Sequence, residues 1–316
     1  MKEIIQLKPV LMEKIWGGSK LKEQFNYDIP SDKTGECWGI SGHAHGTNVV
    51  KNGEYAGKTL RQLWEEHREL FDNEEGEEFP LLVKIIDAQD DLSVQVHPDD
   101  TYAQEHENYA FGKTECWYIL DRDPGSELVL GHNARTRIEL QTLVEEQKWE
   151  DLFRSVSVEK GDFVYVPSGT VHAIGKGIMI LEIQQSSDIT YRFYDYDRTD
   201  DQGNHRELHI EDSVACSMVP HEDPKLDRPS WTEEGVTIER LIQERYFTLH
   251  KWEVSGQVKR ENNSYLLMSV ISGGGNVTTE TGTHKLVKGD HFIIPSTVSN
   301  FELSGEMTVM VSETTK

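Results

Sequence analysis

Most apolar residues of the chain lie in short runs that are separated by Gly, Pro, Asn and Asp. Several runs alternate apolar and polar residues, which is the two-residue period of a strand with one buried face. Many short strands at close spacing are typical of an antiparallel barrel or sandwich. The predicted strands are Leu81–Ile86, Leu92–His97, Glu115–Asp121, Phe163–Pro167, Ile178–Gln185, Phe247–Trp252, Leu266–Ile271, His291–Pro295 and Glu306–Ser312.

Helical spacing, with apolar residues three and four positions apart, is confined to a few stretches. Lys58–Phe71 shows it most clearly, and Arg137–Phe153 predicts one or two further helices. Asp99–Glu107 follows a proline and begins with an acidic first turn, which favours a short helix. His205–Met218 is a weaker candidate. The sequence therefore predicts a mainly β fold with helical additions.

An internal repeat indicates that one β unit occurs twice. Lys160–Ser168 aligns without gaps on Lys288–Ser296, and each copy reads Lys-Gly-Asp, then a mostly apolar run, then Pro-Ser. The Lys-Gly-Asp part is typical of a turn, the run predicts a strand, and the proline ends it. His172 follows the first copy, whereas the matching position after the second copy is Asn300. We therefore expect two related β modules, of which only the first has an imidazole at this place.

A polar, proline-rich segment, Pro220–Trp231, separates the two copies and is the best linker candidate. We therefore divide the chain into a first module at 1–220, a linker at 221–231 and a C-terminal β module at 232–316. The length of 316 residues exceeds the usual size of one domain, which agrees with two modules.

The charged-residue composition limits the classes of molecule that the chain is expected to bind. The chain has 32 basic and 56 acidic residues, which give a formal charge of −24. Such a charge repels nucleic acid and anionic membranes, so we expect neither as a partner. A phosphorylated substrate would need a local group of Lys and Arg. No apolar run reaches the roughly 20 residues of a membrane span, and Met1–Val10 lacks the apolar stretch of a signal peptide.

The three cysteines, Cys37, Cys116 and Cys216, are widely spaced along the chain. Their odd number and their spacing argue against a disulfide framework or a zinc ribbon and fit a reducing compartment. We therefore expect a cytoplasmic protein. The oligomeric state stays open at this point.

The run Leu92–His97 carries the clearest candidate chemistry. Because side chains alternate along a strand, Ser93, Gln95 and His97 share one face and the apolar residues share the other. An ordinary half-exposed strand has the same pattern, and a single histidine is more often structural than a ligand. We accordingly interpret the other histidines, His43 and His45 among them, as structural or surface residues.

Four candidate residues taken together strengthen the case for a metal site. Gln95 and His97 precede Glu115, at the start of the next predicted strand, and His172 follows the first repeat. Two imidazoles, one carboxylate and one amide oxygen suit a borderline divalent cation such as Zn²⁺.

Two resemblances follow from these motifs. The segment Gly161–His172, with the pattern Gly-Asp, strand, Pro-x-Gly-x-x-His, resembles the second conserved motif of cupins, in which the histidine binds a metal inside a double-stranded β-helix barrel. Four blocks in order, together with Trp-Gly-Gly near the start, resemble type I mannose-6-phosphate isomerase in its short bacterial form. The blocks are Phe79–Asp100, Gly112–Leu120, Val166–Gly175 and Leu181–Arg198.

The resemblance implies a cupin (jelly-roll) barrel with a second, degenerate cupin-like module, and one Zn²⁺ per chain. It implies roles for eleven residues: Gln95, His97, Glu115 and His172 as metal ligands; Arg192, Lys113, Glu182 and Asp188 near the reacting carbons or in proton transfer; Ser93, Lys84 and Arg198 at the substrate phosphate. The expected reaction interconverts mannose 6-phosphate and fructose 6-phosphate through an enediol.

Elementary chemistry agrees with this reading, because a metal and a guanidinium stabilise the negative charge of an enediolate while a base moves the proton. Two alternatives remain open at this point. One is an Fe²⁺-dependent cupin oxygenase, and the other is a cupin that binds a sugar phosphate without converting it. The interval between Glu115 and His172 is too short for the large helical insertion of longer family members, so substrate enclosure is expected to differ from theirs.

Overall fold

The structure, a computed structural model, describes residues 2–200 and 202–315. Within these ranges the chain forms twenty strands and six α-helices, so the fold is mainly β with helical additions, as predicted. The strands are β1 (Ile5–Lys8), β2 (Val10–Gly18), β3 (Thr34–Ile40), β4 (Val49–Val50), β5 (Leu81–Asp87), β6 (Val94–Val96), β7 (Glu115–Arg122), β8 (Glu127–His132), β9 (Phe153–Ser157), β10 (Phe163–Val166), β11 (His172–Ile174), β12 (Ile178–Gln185), β13 (Tyr191–Tyr194), β14 (Ser230–Glu233), β15 (Val236–Gln243), β16 (Phe247–Glu261), β17 (Leu266–Thr279), β18 (Gly282–Val287), β19 (His291–Ile294) and β20 (Asn300–Thr314). The helices are α1 (Lys20–Phe25), α2 (Leu60–Glu66), α3 (Asp100–Glu107), α4 (Arg137–Glu145), α5 (Trp149–Leu152) and α6 (Ile210–Cys216).

The strands form three antiparallel sheets. A six-stranded sheet has the order β10-β7-β12-β5-β3-β2, and a five-stranded sheet has the order β13-β6-β11-β8-β9. Both sheets contribute to one buried cluster that includes Trp117 and Ile180 from the first and Leu128 and Ile174 from the second. They are therefore the two walls of a jelly roll, and in the described part of the chain its sheets do not close into a continuous barrel.

The third sheet contains the C-terminal module. It has nine strands in the order β14-β15-β16-β20-β17-β19-β1-β4, with β18 paired to β17. Strand β1 pairs with β19, Ile5 opposite Ile293, and β4 pairs with the other edge of β1. Strands β1 and β4 therefore belong to the same sheet as the strands of the C-terminal module.

The two copies of the repeat fold alike. Gly161 and Gly289 both have left-handed backbone conformations, with φ of 95° and 93°, which glycine adopts without strain. The carboxylates of Asp162 and Asp290 each accept a hydrogen bond from the backbone N–H three residues earlier, at 2.7 and 2.9 Å. Strands β10 and β19 follow these turns. The expectation of a repeated β unit is thus confirmed.

All nine predicted strands are present; Ile178–Gln185 has the predicted bounds, and the bounds of the others differ. The C-terminal runs that begin at Phe247 and Leu266 extend into strands of 15 and 14 residues. The run Leu92–His97 forms a strand only over Val94–Val96. Leu92 precedes that strand and joins the apolar cluster between the two jelly-roll sheets, whereas Val94 packs on the opposite side of the five-stranded sheet. The predicted alternation therefore holds from residue 93 onward.

The predicted helices are shorter than their patterns. Lys58–Phe71 divides at His67 into α2 and a 3₁₀ turn, Arg68–Phe71, and Arg137–Phe153 divides into α4 and α5. Helix α1 was not predicted, because its six residues bury only two apolar side chains. None of the helices in the described ranges has both the length and the apolar character needed to cross a membrane.

The predicted linker makes contacts with the first module at several points along its length. Asp223 accepts two hydrogen bonds from the guanidinium of Arg154, each 3.0 Å long. Leu226 packs against the central apolar cluster, and Trp231 already belongs to β14. This segment therefore follows the surface of the first module before the C-terminal sheet begins.

A buried histidine joins the C-terminal sheet to β3. The ring of His291 lies so close to Gly39 that a Cβ there would approach it to 2.4 Å. The Tyr27 hydroxyl donates to the Gly289 carbonyl oxygen at 2.7 Å, so it accepts from Nε2 of His291 at 3.0 Å. Ser269 Oγ is then the donor to Nδ1 at 2.8 Å. Both ring nitrogens of the neutral imidazole are therefore satisfied.

We expect this histidine to make folding depend on pH. Burial lowers the pKa of His291 to about 3, whereas an unfolded histidine titrates near 6.5. The unfolded chain therefore takes up this proton first as the pH falls, and between pH 7 and pH 5 the free energy of unfolding should decrease by about 2 kcal/mol from His291 alone. In His291→Gln, urea unfolding at the two pH values should show a pH dependence smaller by that amount.

The exposed His106 offers the control, because His106→Gln should keep the pH dependence of the unsubstituted protein. An unchanged pH dependence in His291→Gln would contradict the assignment.

Candidate active site

A cavity of about 480 Å³ lies between the two sheets of the jelly roll. Nine of the eleven predicted site residues line it, and they are Lys84, Ser93, Gln95, Lys113, Glu115, His172, Glu182, Asp188 and Arg192. A larger groove of about 920 Å³, around Trp149 and Tyr194 on the other side of the five-stranded sheet, is lined by none of the eleven. The candidate chemistry therefore belongs to the smaller cavity.

Three of the four predicted metal ligands form one buried group. Ligand atoms of His97, Glu115 and His172 lie within 4.8 Å of one another. Nε2 of His97 is 3.6 Å from Oε2 of Glu115, and Nε2 of His172 is 3.4 Å from Oε1. Strand β7 supplies the carboxylate at its first residue, and β11 supplies one imidazole at its first residue.

The backbone sets the tautomer of both histidines. Nδ1 of His97 lies 2.8 Å from the carbonyl oxygen of Ile189, and Nδ1 of His172 lies 2.8 Å from that of Thr170. A carbonyl oxygen only accepts, so Nδ1 carries the proton and the Nε2 lone pair faces Glu115. A metal-binding histidine has the same arrangement, in which its second nitrogen donates to a protein oxygen.

The environment also keeps both rings neutral. Burial, reinforced by the Lys113 ammonium, lowers the pKa of His172 to about 4 and that of His97 well below its usual value. A metal ligand must have a free lone pair, which the neutral form provides. Nζ of Lys113 lies 2.9 Å from Nε2 of His97 and also contacts the Glu115 carboxylate. The imidazole nitrogen and the carboxylate are therefore both directed at the positive charge of this ammonium group. The donor set therefore fits a divalent cation such as Zn²⁺.

The fourth predicted ligand lies beside this group. Gln95 is directly opposite His172 on the neighbouring strand, and its Nε2 is 3.4 Å from Nε2 of that ring. Arg192 is opposite Gln95 on the other side. Arg192, Gln95 and His172 thus form one row across three strands, with the guanidinium at the opposite end from the imidazole.

Charged side chains also line the cavity wall formed by the six-stranded sheet. The indole N–H of Trp117 lies 3.1 Å from Oε1 of Glu115 and 3.0 Å from Oε1 of Glu182, and so links the two carboxylates. Oε2 of Glu182 has no hydrogen-bond partner within the described ranges, and Nζ of Lys84 is 3.5 Å away. Burial, reinforced by Glu115, raises the pKa of Glu182. A buried carboxyl group of this kind suits proton transfer.

Asp188 is held at the cavity mouth by two histidines. Its Oδ2 is 2.6 Å from Nδ1 of His45, and its Oδ1 is 3.8 Å from Nε2 of His43. Desolvation, the largest single effect, would raise the pKa of Asp188, but the hydrogen bond from His45 and the charges of His43, His45 and Lys84 together lower it. Nδ1 of His43 accepts from the His45 backbone N–H, which places the ring proton on Nε2. His43 therefore offers Asp188 a donor rather than a lone pair for a metal.

The three residues predicted to bind phosphate do not lie together. Ser93 Oγ accepts from Nε of Arg192 at 3.1 Å. Lys84 lies on the facing sheet beside Glu182. Arg198 does not line the cavity, since its guanidinium binds Asp195 at 2.6 Å and lies over the ring of Tyr196.

Sequence reasoning missed several residues of the cavity wall. The missed polar residues include Lys14, Glu36, His45 and Arg206, and Trp38 and Trp117 add aromatic surface. His45, interpreted above as structural or surface, is an exposed imidazole that also lines the cavity and is hydrogen-bonded to Asp188. The pair of histidines in Ser-Gly-His-Ala-His-Gly, two residues apart between strands, is the signal that could have identified it.

Two family models match this chain. Residues 4–123 match "Phosphomannose isomerase type I, catalytic domain", and residues 237–314 match "Mannose-6-phosphate isomerase, cupin domain". The second match covers most of the nine-stranded sheet, and so supports the interpretation of the C-terminal module as a cupin.

Full-length relatives agree with the family models. The chain is 49% identical to mannose-6-phosphate isomerase ManA of Bacillus subtilis, over 98% of each chain. It is 48% identical to the mannose-6-phosphate isomerase of Streptococcus mutans, over 99% of this chain and 98% of that one. A crystal structure of the Bacillus subtilis mannose 6-phosphate isomerase matches with a TM-score of 0.96 and 48% identity, covering 98% of this chain and 99% of that chain.

Proposed function

Since the chain belongs to the type I phosphomannose isomerase family and is a mannose-6-phosphate isomerase, we propose that it interconverts mannose 6-phosphate and fructose 6-phosphate through an enediol, with one Zn²⁺ per chain. The buried group of His97, Glu115 and His172, with both Nε2 lone pairs directed inward, is the observation that carries the proposal. Gln95 completes the proposed ligand set. When bound there, the metal would supply Lewis acidity to the sugar oxygens.

The side chains around this group have separate roles in the proposed reaction. The Arg192 guanidinium, fixed by Ser93 and by the Glu207 carbonyl oxygen, stabilises negative charge that develops on a substrate oxygen. Proton transfer between the two carbons needs a group that can hold and return a proton. Among Lys113, Glu182 and Asp188, Glu182 suits this task best, because it is buried, its pKa is raised and its Oε2 accepts no hydrogen bond within the described ranges.

We place the reaction in the cytoplasm. All three cysteines are unpaired, and two of them, Cys37 and Cys116, are buried among apolar residues. Unpaired thiols fit a reducing compartment. The proposed partner is a small hexose 6-phosphate, and no nucleic acid or membrane is proposed.

The proposal is tested by incubating the purified protein with mannose 6-phosphate and measuring fructose 6-phosphate before and after chelation. We expect turnover that chelation abolishes and that Zn²⁺ restores. The same assay in heavy water should show loss of solvent hydrogen exchange at the reacting carbon in Glu182→Gln. No turnover by a protein that binds one metal per chain would overturn the proposed reaction, and uptake of oxygen would favour a cupin oxygenase instead.

A further inference from the structure

Positive charge is unevenly distributed in the cavity. At the metal-ligand end each lysine has a carboxylate partner, since Lys113 pairs with Glu115 and Lys84 with Glu182. Lys14 likewise lies 3.3 Å from Glu36. A phosphate dianion placed at this end would meet the carboxylates as well as the ammonium groups, and their effects would largely cancel.

The opposite end carries an excess of positive charge. Among the residues that the structure describes, no carboxylate lies within hydrogen-bond distance of the Arg192 guanidinium, which bonds to Ser93 Oγ and the Glu207 carbonyl oxygen. Burial lowers the pKa of Arg192, and repulsion from Arg206 lowers it further. Asp195 and the exposed Glu207 offset only part of this effect. The Arg192 corner is therefore a place where an anion would relieve repulsion between two guanidinium groups.

Arg206 is held so that it faces this corner. It donates from Nε to Oδ2 of Asp195 at 2.7 Å and from Nη2 to Oδ1 of the same carboxylate. The buried Asp195 also binds Arg198 on the side away from the cavity. One carboxylate thus serves two guanidinium groups, and Nη1 of Arg206 has no protein acceptor in residues 2–200 and 202–315.

We propose that Arg206, together with Ser93, binds the phosphate group of the substrate, and that Asp195 positions Arg206 for this contact. This inference rests on the proposed function for the identity of the substrate. It replaces Lys84 and Arg198 as the phosphate ligands expected from sequence.

The spacing fits a sugar phosphate that spans the cavity. Ser93 and Gln95 lie on the same face two residues apart, which is roughly 7 Å along an extended chain. A sugar with its phosphate at Ser93 would therefore bring its carbonyl end to the row of Gln95 and His172. Arg192, in that row and bonded to Ser93, contacts the sugar between the two ends. Because a guanidinium group binds phosphate through paired N–H donors, Arg206 and the Ser93 hydroxyl form a suitable phosphate site.

The test measures how Arg206→Ala binds mannose 6-phosphate and inorganic phosphate. Loss of charge-assisted hydrogen bonds should raise the KM for mannose 6-phosphate and the inhibition constant of inorganic phosphate by roughly 10- to 100-fold. The zinc content should stay within about twofold of that of the unsubstituted protein, and kcat at saturating mannose 6-phosphate should fall far less than KM rises. Arg206→Lys, which keeps the charge but loses the paired donors, should give an intermediate shift.

Arg154→Ala is the matched control, because Arg154 also binds one carboxylate through two donors but lies outside the cavity. It should leave every constant unchanged. Loss of zinc and of kcat in Arg206→Ala with an unchanged KM would assign Arg206 a structural role, and unchanged phosphate inhibition would overturn the proposal. Calorimetric titration of inorganic phosphate needs no turnover, so the phosphate site can be decided even if the proposed isomerase reaction fails.

Discussion

Replacing His172 with alanine should remove the bound metal and reduce kcat/KM for mannose 6-phosphate by at least about a thousandfold. The imidazole is buried, its Nδ1–H is held by the Thr170 carbonyl oxygen, and its Nε2 faces Glu115. Without His172, only one imidazole and one carboxylate remain of the buried group formed by His97, Glu115 and His172. His97→Ala should have the same effect, because that ring is oriented in the same way by Ile189. Metal analysis and steady-state kinetics at added Zn²⁺ measure both losses.

Exposed His106, which stacks on Tyr102 away from the cavity, provides the comparison. His106→Ala should retain metal and activity, and circular dichroism should show all three variants folded. Metal content that is unchanged in both ligand variants would contradict the ligand assignment.

Arg192→Ala should retain the metal and lose turnover. In the described ranges its guanidinium bonds to Ser93 and to a backbone carbonyl oxygen but to none of the proposed metal ligands, so its removal should leave the proposed ligand group intact. Removing a fixed cation from beside a developing oxyanion costs about 100- to 1,000-fold in kcat. Metal content and kcat, measured on the same preparation, separate this variant from His172→Ala.

Arg192→Lys gives the control for charge, since an ammonium on a flexible chain should restore only part of the turnover. The effect on kcat also separates Arg192 from Arg206, whose removal should act on KM. A normal kcat in Arg192→Ala, or loss of the metal, would show that Arg192 has another role.

Features of the fold that depend on local chain geometry could be predicted from sequence. The alternation that places Ser93 and Gln95 on one face follows from the two-residue period of a strand, and the cavity contains both side chains. The repeated Lys-Gly-Asp turn was predictable because only a short list of residues accepts a left-handed backbone, and Gly161 and Gly289 adopt it.

Contributions from distant loops could not be predicted in this way. His45 lies between β3 and β4, and Arg206 lies after β13, so tertiary packing alone brings them to the cavity. Arg198 shows the converse, because an arginine that matches a family position is here occupied by Asp195. Periodicity reports which face a side chain takes, whereas the partner of a charged group depends on contacts far apart in sequence.

The pairing of β1 with β19 has a consequence for how the protein is made. On the ribosome, the partner of Ile5, Ile293, emerges only after all of the residues between the two have been synthesised. At typical rates of translation the wait is on the order of tens of seconds. Until then the early strand has only the two-residue β4 beside it, and the N-terminal module carries an unfilled sheet edge. A chain that terminates before β19 would therefore leave β1 without its partner strand, in addition to lacking the rest of the C-terminal sheet.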